Sequence, residues 1–219
     1  MDETRAVTQP PQFDLDFRDQ LEALFRWRRD VRRFRTDPLD PDLIDDLIAL
    51  AALAPSVGNS QPWRFVKVED THRRQAVRAN FEECNHSALA QYQGERAQLY
   101  ARLKLSGFDR APVQLGVFAD THTQAGNGLG VRTMPEMLCY SVVGAVNALW
   151  LAARAHGIGV GWVSILDPVR VKTALDVPDD WTLIAYLCLG YPEEEHLDPE
   201  LERSGWQRRL DAQQFVLRR

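Results

Sequence analysis

One stretch restricts the architecture of this chain more than any other. Residues 134–157, MPEMLCYSVVGAVNALWLAARAHG, carry apolar side chains almost all the way round a helical projection. A helix with no polar face is stable only when buried in a core or against another subunit. The flanking sequence offers elements to wrap it. RFVKVED (64–70), APVQLGVFAD (111–120), GIGVGWVSIL (157–166) and WTLIAYLCLGYP (181–192) have the apolar, β-branched content of buried strands.

Helical signals fill most of the gaps. Phe17, Leu21, Leu24 and Phe25 recur at helical spacing from about Asp16 to Trp27. Asp40 is a good N-cap with Pro41 at the first helical position, and Pro55 and Gly58 stop that helix. A charged stretch over roughly 71–104 reads as helical, and PVRVKTALDV (168–177) as a short helix. Residues 1–13 are a polar, Pro-containing arm. From about Glu193 a polar tail carries scattered apolar anchors: Leu201, Trp206, Leu210, Phe215 and Val216. There is no internal repeat and no linker. With 219 residues, 45% of them hydrophobic, the expectation is one α+β domain over 14–219.

Composition excludes several functions. A net charge of −5 argues against a general nucleic-acid binder, which needs a broad basic face. Cys84, Cys139 and Cys188 are far apart and odd in number, so a disulfide framework and a zinc knuckle are both unexpected, and reduced, buried thiols are the default. The five histidines show no metal-ligand spacing. The N-terminus lacks the apolar region of a signal peptide, and no uninterrupted apolar run reaches transmembrane length. A soluble cytoplasmic protein is expected.

Three stretches carry chemistry. RRDVRRF (28–34) puts four arginines and one aspartate into seven positions of an acidic chain. Arg28 and Arg29 at a helix end would complement its dipole, but Arg32 and Arg33 continue past it, and guanidinium forks match phosphate bidentately. APSVGNSQPW (54–63) is either a helix stop and turn or a loop whose Ser56, Asn59, Ser60 and Gln61 hold the polar edge of a planar ring. GIGVGWVS (157–164) has glycines before an extended apolar stretch rather than before a helix, so a dinucleotide fingerprint fails. Such glycines mark close backbone approach to something flat or to another element. Ser164 is either a buried hydroxyl satisfied by backbone or a functional one. No G-x-S-x-G and no P-loop is present.

In this order, RRDVRRF, APSVGNSQPWRFV, the long apolar helix, GIGVGWVS, LCLGYP and GWQRRL resemble the nitroreductase-like flavoprotein family, over about residues 20–212. The aspartate within RRDVR and the NALWLAARAHGIGVGWVSI run are most similar to the branch that consumes its flavin. There, reduced FMN and O₂ yield 5,6-dimethylbenzimidazole, the lower ligand of cobalamin, and erythrose 4-phosphate. The resemblance implies an α+β fold with a central, mostly antiparallel sheet flanked by helices, and FMN bound at a homodimer interface.

It also implies roles. Arg28, Arg29 and Arg32, flanking Asp30 and Val31, would hold the FMN phosphate and ribityl chain. Arg209 from the tail joins them, with Arg208 the neighbouring alternative. Ser56 would lie along the flavin and the backbone at Gly161 would approach its ring. Asp30, a carboxylate that neighbouring cations keep ionised, and Ser164 would be the catalytic pair: a positioned base, and a hydroxyl orienting the ribityl group or the oxygenated flavin. Residues 85–108 would cover the flavin and limit entry to small molecules such as O₂. Asn59 and Ser60 are more polar than the apolar pair expected in this branch and resemble ordinary nitroreductases. The alternatives are an NAD(P)H-dependent nitro- or quinone reductase, and a non-catalytic flavin binder. Reducing equivalents would come either from a partner flavin reductase or from NAD(P)H directly.

Overall fold

The computed structural model describes residues 10–103 and 107–219. Residues 1–9 of the expected arm, and 104–106 of the expected cover, lie outside the described residues.

In chain order the elements are α1 (Leu15–Trp27), α2 (Pro41–Ala51), β1 (Trp63–Lys67), α3 (Thr71–Leu89), α4 (Gly94–Arg102), α5 (Gly107–Arg110), β2 (Val113–Asp120), α6 (Met137–Ala155), β3 (Gly159–Val163), α7 (Pro168–Leu175), β4 (Trp181–Gly190) and α8 (Glu200–Arg203). The side chains of Asp14, Asp40, Asp70 and Asp167 cap α1, α2, α3 and α7, and Pro41 and Pro168 open two of these helices. The charged stretch expected as one helix over 71–104 is two, because Ala90 caps α3 and Gly94 restarts the chain at φ 57°.

The four strands form one sheet in the order β1-β2-β4-β3, and every pairing is antiparallel. Both faces are covered, so β2 is buried without a break from Gln114 to Ala119. Strand alternation sorts the two cores. Leu115, Val117, Ala119, Ala185, Leu187 and Leu189 pack against α2 and α6. Phe118, Tyr186 and Cys188 pack on the other face with Val77 of α3, Phe108 of α5 and Val171 and Leu175 of α7.

By length and composition α6 could cross a bilayer, with a mean hydropathy of 1.3 over its most apolar window. Here it is the core helix: Leu138, Val142, Val146 and Leu149 are buried. Burying each such side chain contributes roughly 1.5–3 kcal/mol, so the four together match the whole net stability of a typical domain. Its own chain covers that face. A stripe of Tyr140, Val143 and Asn147 stays exposed, and α1 buries none of its residues.

Candidate active site

The site is assembled by the connection between α1 and α2. The helix ends at Trp27, where its periodicity ends, and Arg28 is its extended C-cap residue (φ −68°, ψ 114°), so neither Arg28 nor Arg29 is a helical residue. The physical reason is the open edge of β3. Val31 N–H donates to Val160 O at 3.0 Å, Asp30 makes a parallel bridge with Val160, and the Trp150 indole N–H of α6 donates to Arg29 O at 3.2 Å. Farther on, Arg35 N–H donates to Tyr191 O and Glu193 N–H to Arg33 O, so the segment also pairs with the chain leaving β4.

Gly161 explains how the strands come so close. A Cβ built there would lie 2.3 Å from Val31 O. Close approach of these glycines to another element of the same chain is observed.

Asp30 sits at the centre. Its Oδ1 accepts the Trp162 N–H at 2.9 Å and its Oδ2 lies 3.5 Å from Arg32 Nε. Burial pushes its pKa above the usual aspartate range, and the Trp162 N–H and then Arg32 oppose that push. The side chain is 40% exposed, but burial outweighs the cations, which makes Asp30 a stronger base than a free aspartate. Its charge and, above all, burial push the Cys188 thiol behind it up to about 12; Cys84 and Cys139 are free and half-buried.

The arginines divide. Arg28 lies over the Trp150 ring, 4.9 Å from its centroid. Burial lowers its pKa; Asp30 raises it and Arg209 lowers it further. Arg29 gives its donors to backbone instead: Nε to Leu197 O at 2.7 Å, Nη1 to Arg28 O at 2.6 Å and Nη2 to Arg26 O. It caps α1 and ties down the tail. Arg33 pairs with Glu194 and Glu200 of the tail.

Two cavities meet at Asp30 and Arg32. The first, of about 160 Å³, is lined by these two with Arg28, Arg29, Leu201 and Arg209 among others. The second, of about 140 Å³, adds Phe81, Asn85, Tyr100, Leu103, Trp162 and Ser164. Sequence-predicted Arg28, Arg29, Asp30, Arg32 and Arg209 thus share one cavity, and Asp30 and Ser164 share the next. Arg208 lines neither. The second chamber has room for several water-sized molecules.

Ser56 is elsewhere. Its Oγ accepts the Gln61 N–H, and the Val57 N–H donates to Ser141 Oγ near the start of α6. Nine residues of helix, about 13 Å, separate Ser141 from Trp150. Gly58, Asn59 and Gln61 are left-handed (φ 58°, 54° and 46°).

Sequence reasoning singled out neither Trp150 nor the Trp162 N–H; Asn85 and Tyr100 fall within the 85–108 stretch expected to cover the flavin, though neither was named there. Glu82 and Glu83, just before it, form a solvated face, paired with Arg78 and Arg170.

Residues 25–191 match the Nitroreductase family. The chain is 60% identical over 199 residues to a 5,6-dimethylbenzimidazole synthase of Rhodospirillum rubrum, covering 91% of this chain and 94% of the relative. It is 47% identical to a protein of the same name from Rhodobacter capsulatus, over 92% and 97% of the two chains. Among solved structures it is similar to an iodotyrosine deiodinase bound to FMN and 3-iodo-L-tyrosine (TM-score 0.69, 26% identity, 80% of this chain and 91% of that one).

Proposed function

The chain belongs to the nitroreductase family, and from that premise we propose that it is an oxidoreductase converting reduced FMN and O₂ to 5,6-dimethylbenzimidazole and erythrose 4-phosphate. The observation that carries the reading is the placement of Asp30: one carboxylate, basic through burial, stands between a cavity lined with arginines and a small chamber containing Ser164.

The first cavity fits a phosphate. Burial is the main cause of the lowered pKa values of Arg28 and Arg29, and the like charge of Arg209 adds to each. A phosphate of about −1.5 to −2 charge would relieve that repulsion. Arg28, Arg32 and Arg209 hold it; Arg29 orders the segment from behind. Bound reduced FMN supplies the ring that reacts with O₂ and the ribityl chain that is broken. Asp30 takes a proton from that chain, and Ser164 orients it. The second chamber is large enough to take O₂.

Ser56 reaches the flavin from a second copy of the chain, since within one protomer its neighbour Val57 is held by Ser141, nine helical residues (about 13 Å of rise) before Trp150. Exposed apolar side chains support such a homodimer: Phe17, Leu21 and Phe25 on α1, Val143 on α6, and Phe215 and Val216 in the tail.

The test is incubation with excess reduced FMN in air. Benzimidazole formation supports the reading. Flavin reoxidation without it, accelerated by a nitro or quinone acceptor, assigns the chain as a reductase, and binding without turnover as a storage module.

A further inference from the structure

The tail does more than deliver Arg209. Three residues earlier, Trp206 packs against α4: its ring centroid is 5.5 Å from Tyr92 in an edge-on contact and 6.2 Å from Tyr100, and the Arg96 guanidinium lies 5.2 Å over it. Tyr92 and Tyr100 stack on each other at 4.9 Å. This cluster matters because α4 has little else to fix it. No described α4 side chain is buried, and its N-cap residue, Gln93, gives no side-chain hydrogen bond.

What the cluster fixes is part of the reaction chamber. The Tyr100 hydroxyl donates to Asn85 Oδ1 at 2.8 Å, and both side chains line the cavity of Asp30 and Ser164. On its other side, Trp206 is tied to the phosphate cavity. The backbone N–H groups of Trp206 and Gln207 donate to Leu201 O at 2.8 and 3.2 Å, and Leu201 lines that cavity together with Arg209. The tail up to residue 203 is anchored independently, by Arg154 on Glu195 (2.8 and 2.7 Å) and Arg33 on Glu194 and Glu200. The segment from Gly205 onward carries Trp206 and Arg209 together, and Arg209 faces the like charges of Arg28 and Arg29.

We propose that Trp206 is a positioning residue that couples phosphate capture by Arg209 to formation of the chamber, so that a flavin without its phosphate is bound but not fragmented. Without an anion, repulsion from Arg28 and Arg29 works against the seated tail. An anion offsets that repulsion and holds Arg209, and with it the contact of Trp206 on Tyr92 and Tyr100 and the place of Tyr100 in the cavity wall it shares with Asp30. The coupling deepens the synthase reading and rests on it.

The test separates the two. Hydrogen exchange over residues 94–103 is followed in the full-length protein alone, with oxidised FMN and with riboflavin. FMN should slow exchange severalfold in the wild type and in Trp206→Phe, and riboflavin should not. In Trp206→Ala, FMN should still bind but leave exchange over 94–103 unchanged. In air, that variant should oxidise reduced FMN at a normal rate. Two electrons then pass from flavin to O₂ as hydrogen peroxide, and benzimidazole per flavin falls about 10²-fold, the scale of a misplaced reacting group. Equal protection by riboflavin and FMN, FMN-induced protection surviving in Trp206→Ala, or a normal product yield in that variant would each overturn the coupling. Absence of benzimidazole from the wild type would instead overturn the synthase reading, while hydrogen exchange still decides the coupling.

Discussion

Replacing Asp30 by asparagine removes charge and basicity and leaves the shape. The amide oxygen can still accept the Trp162 N–H that Oδ1 accepts at 2.9 Å, so the 28–33 segment stays on β3. On the other side the amide nitrogen replaces Oδ2, 3.5 Å from Arg32 Nε, and a weak ion pair becomes two donors face to face. Pairs this exposed are worth about 0–1 kcal/mol, and removing a partly buried charge offsets the loss, so stability should change by less than about 1 kcal/mol. FMN should bind as well or better, because the arginines lose a competing anion. Oxidation of reduced flavin by O₂ should continue, and benzimidazole formation should fall about 10²–10⁴-fold, the range for losing a general base. Fluorescence titration with FMN and chromatography of the aerobic reaction measure the two effects separately. The pH dependence sharpens the test. Because burial raises the folded-state pKa of Asp30, its contribution to stability is present in acid and is lost as pH rises through that pKa. The variant should therefore gain stability relative to wild type with rising pH, and wild-type turnover should rise through a pKa above the ordinary aspartate value of about 3.9. Near-normal product from the variant would reduce Asp30 to a spacer. Loss of FMN binding would mean that the carboxylate serves to order the arginines, and relative destabilisation of the variant with rising pH would show that the ion pair outweighs burial.

Arg209→Ala should weaken FMN binding roughly 10–150-fold, one charge-assisted contact, while Arg208→Ala, outside both cavities, should bind normally in the same titration. Gly161→Ala places a Cβ 2.3 Å from Val31 O; overpacking of about 1–3 kcal/mol should lower Tm by about 2–12 °C and cost FMN affinity, and calorimetry showing an unchanged Tm would refute the contact. Sedimentation at micromolar concentration should give a dimer, and a 25.0 kDa monomer would remove the second-subunit role of Ser56.

The layered fold was legible because its signals are strong and local: aspartate caps, buried strands and a helix apolar on nearly every face. The apolar girth of α6 was less informative than it looked, since its own chain covers Leu138, Val142, Val146 and Leu149 and leaves Tyr140 and Val143 bare. The site was legible as a set of residues but not as an arrangement. Nothing local shows that Arg29 and Arg33 turn to the tail, because their partners, Leu197, Glu194 and Glu200, are more than 160 positions away. The burial of Asp30 was hidden for the same reason. Neighbouring arginines are visible in sequence, whereas the burial that outweighs them comes from elements distant in the chain.

Why an aspartate stands among four arginines follows from the edge of β3. Had α1 continued, residues 28–33 would have fanned around a cylinder, and no two successive odd or even positions would have shared a direction. Paired with Val160, the segment runs extended and its side chains alternate. Arg28, Asp30 and Arg32 then belong to one side and line the arginine-rich cavity. From the other, Arg29, which also reaches that cavity's wall, and Arg33 hold the tail, and Val31 lies against Gly159 and Gly161, where a larger residue would collide. The even-numbered triad needs its middle member to be an acceptor, because the Trp162 N–H at the open strand edge is a donor that this side chain meets. A lysine or arginine at 30 would leave that N–H unsatisfied, and a serine could satisfy it without supplying a base. Aspartate meets both demands, so the residue that seals the sheet edge is also the one that divides the anion cavity from the reaction chamber.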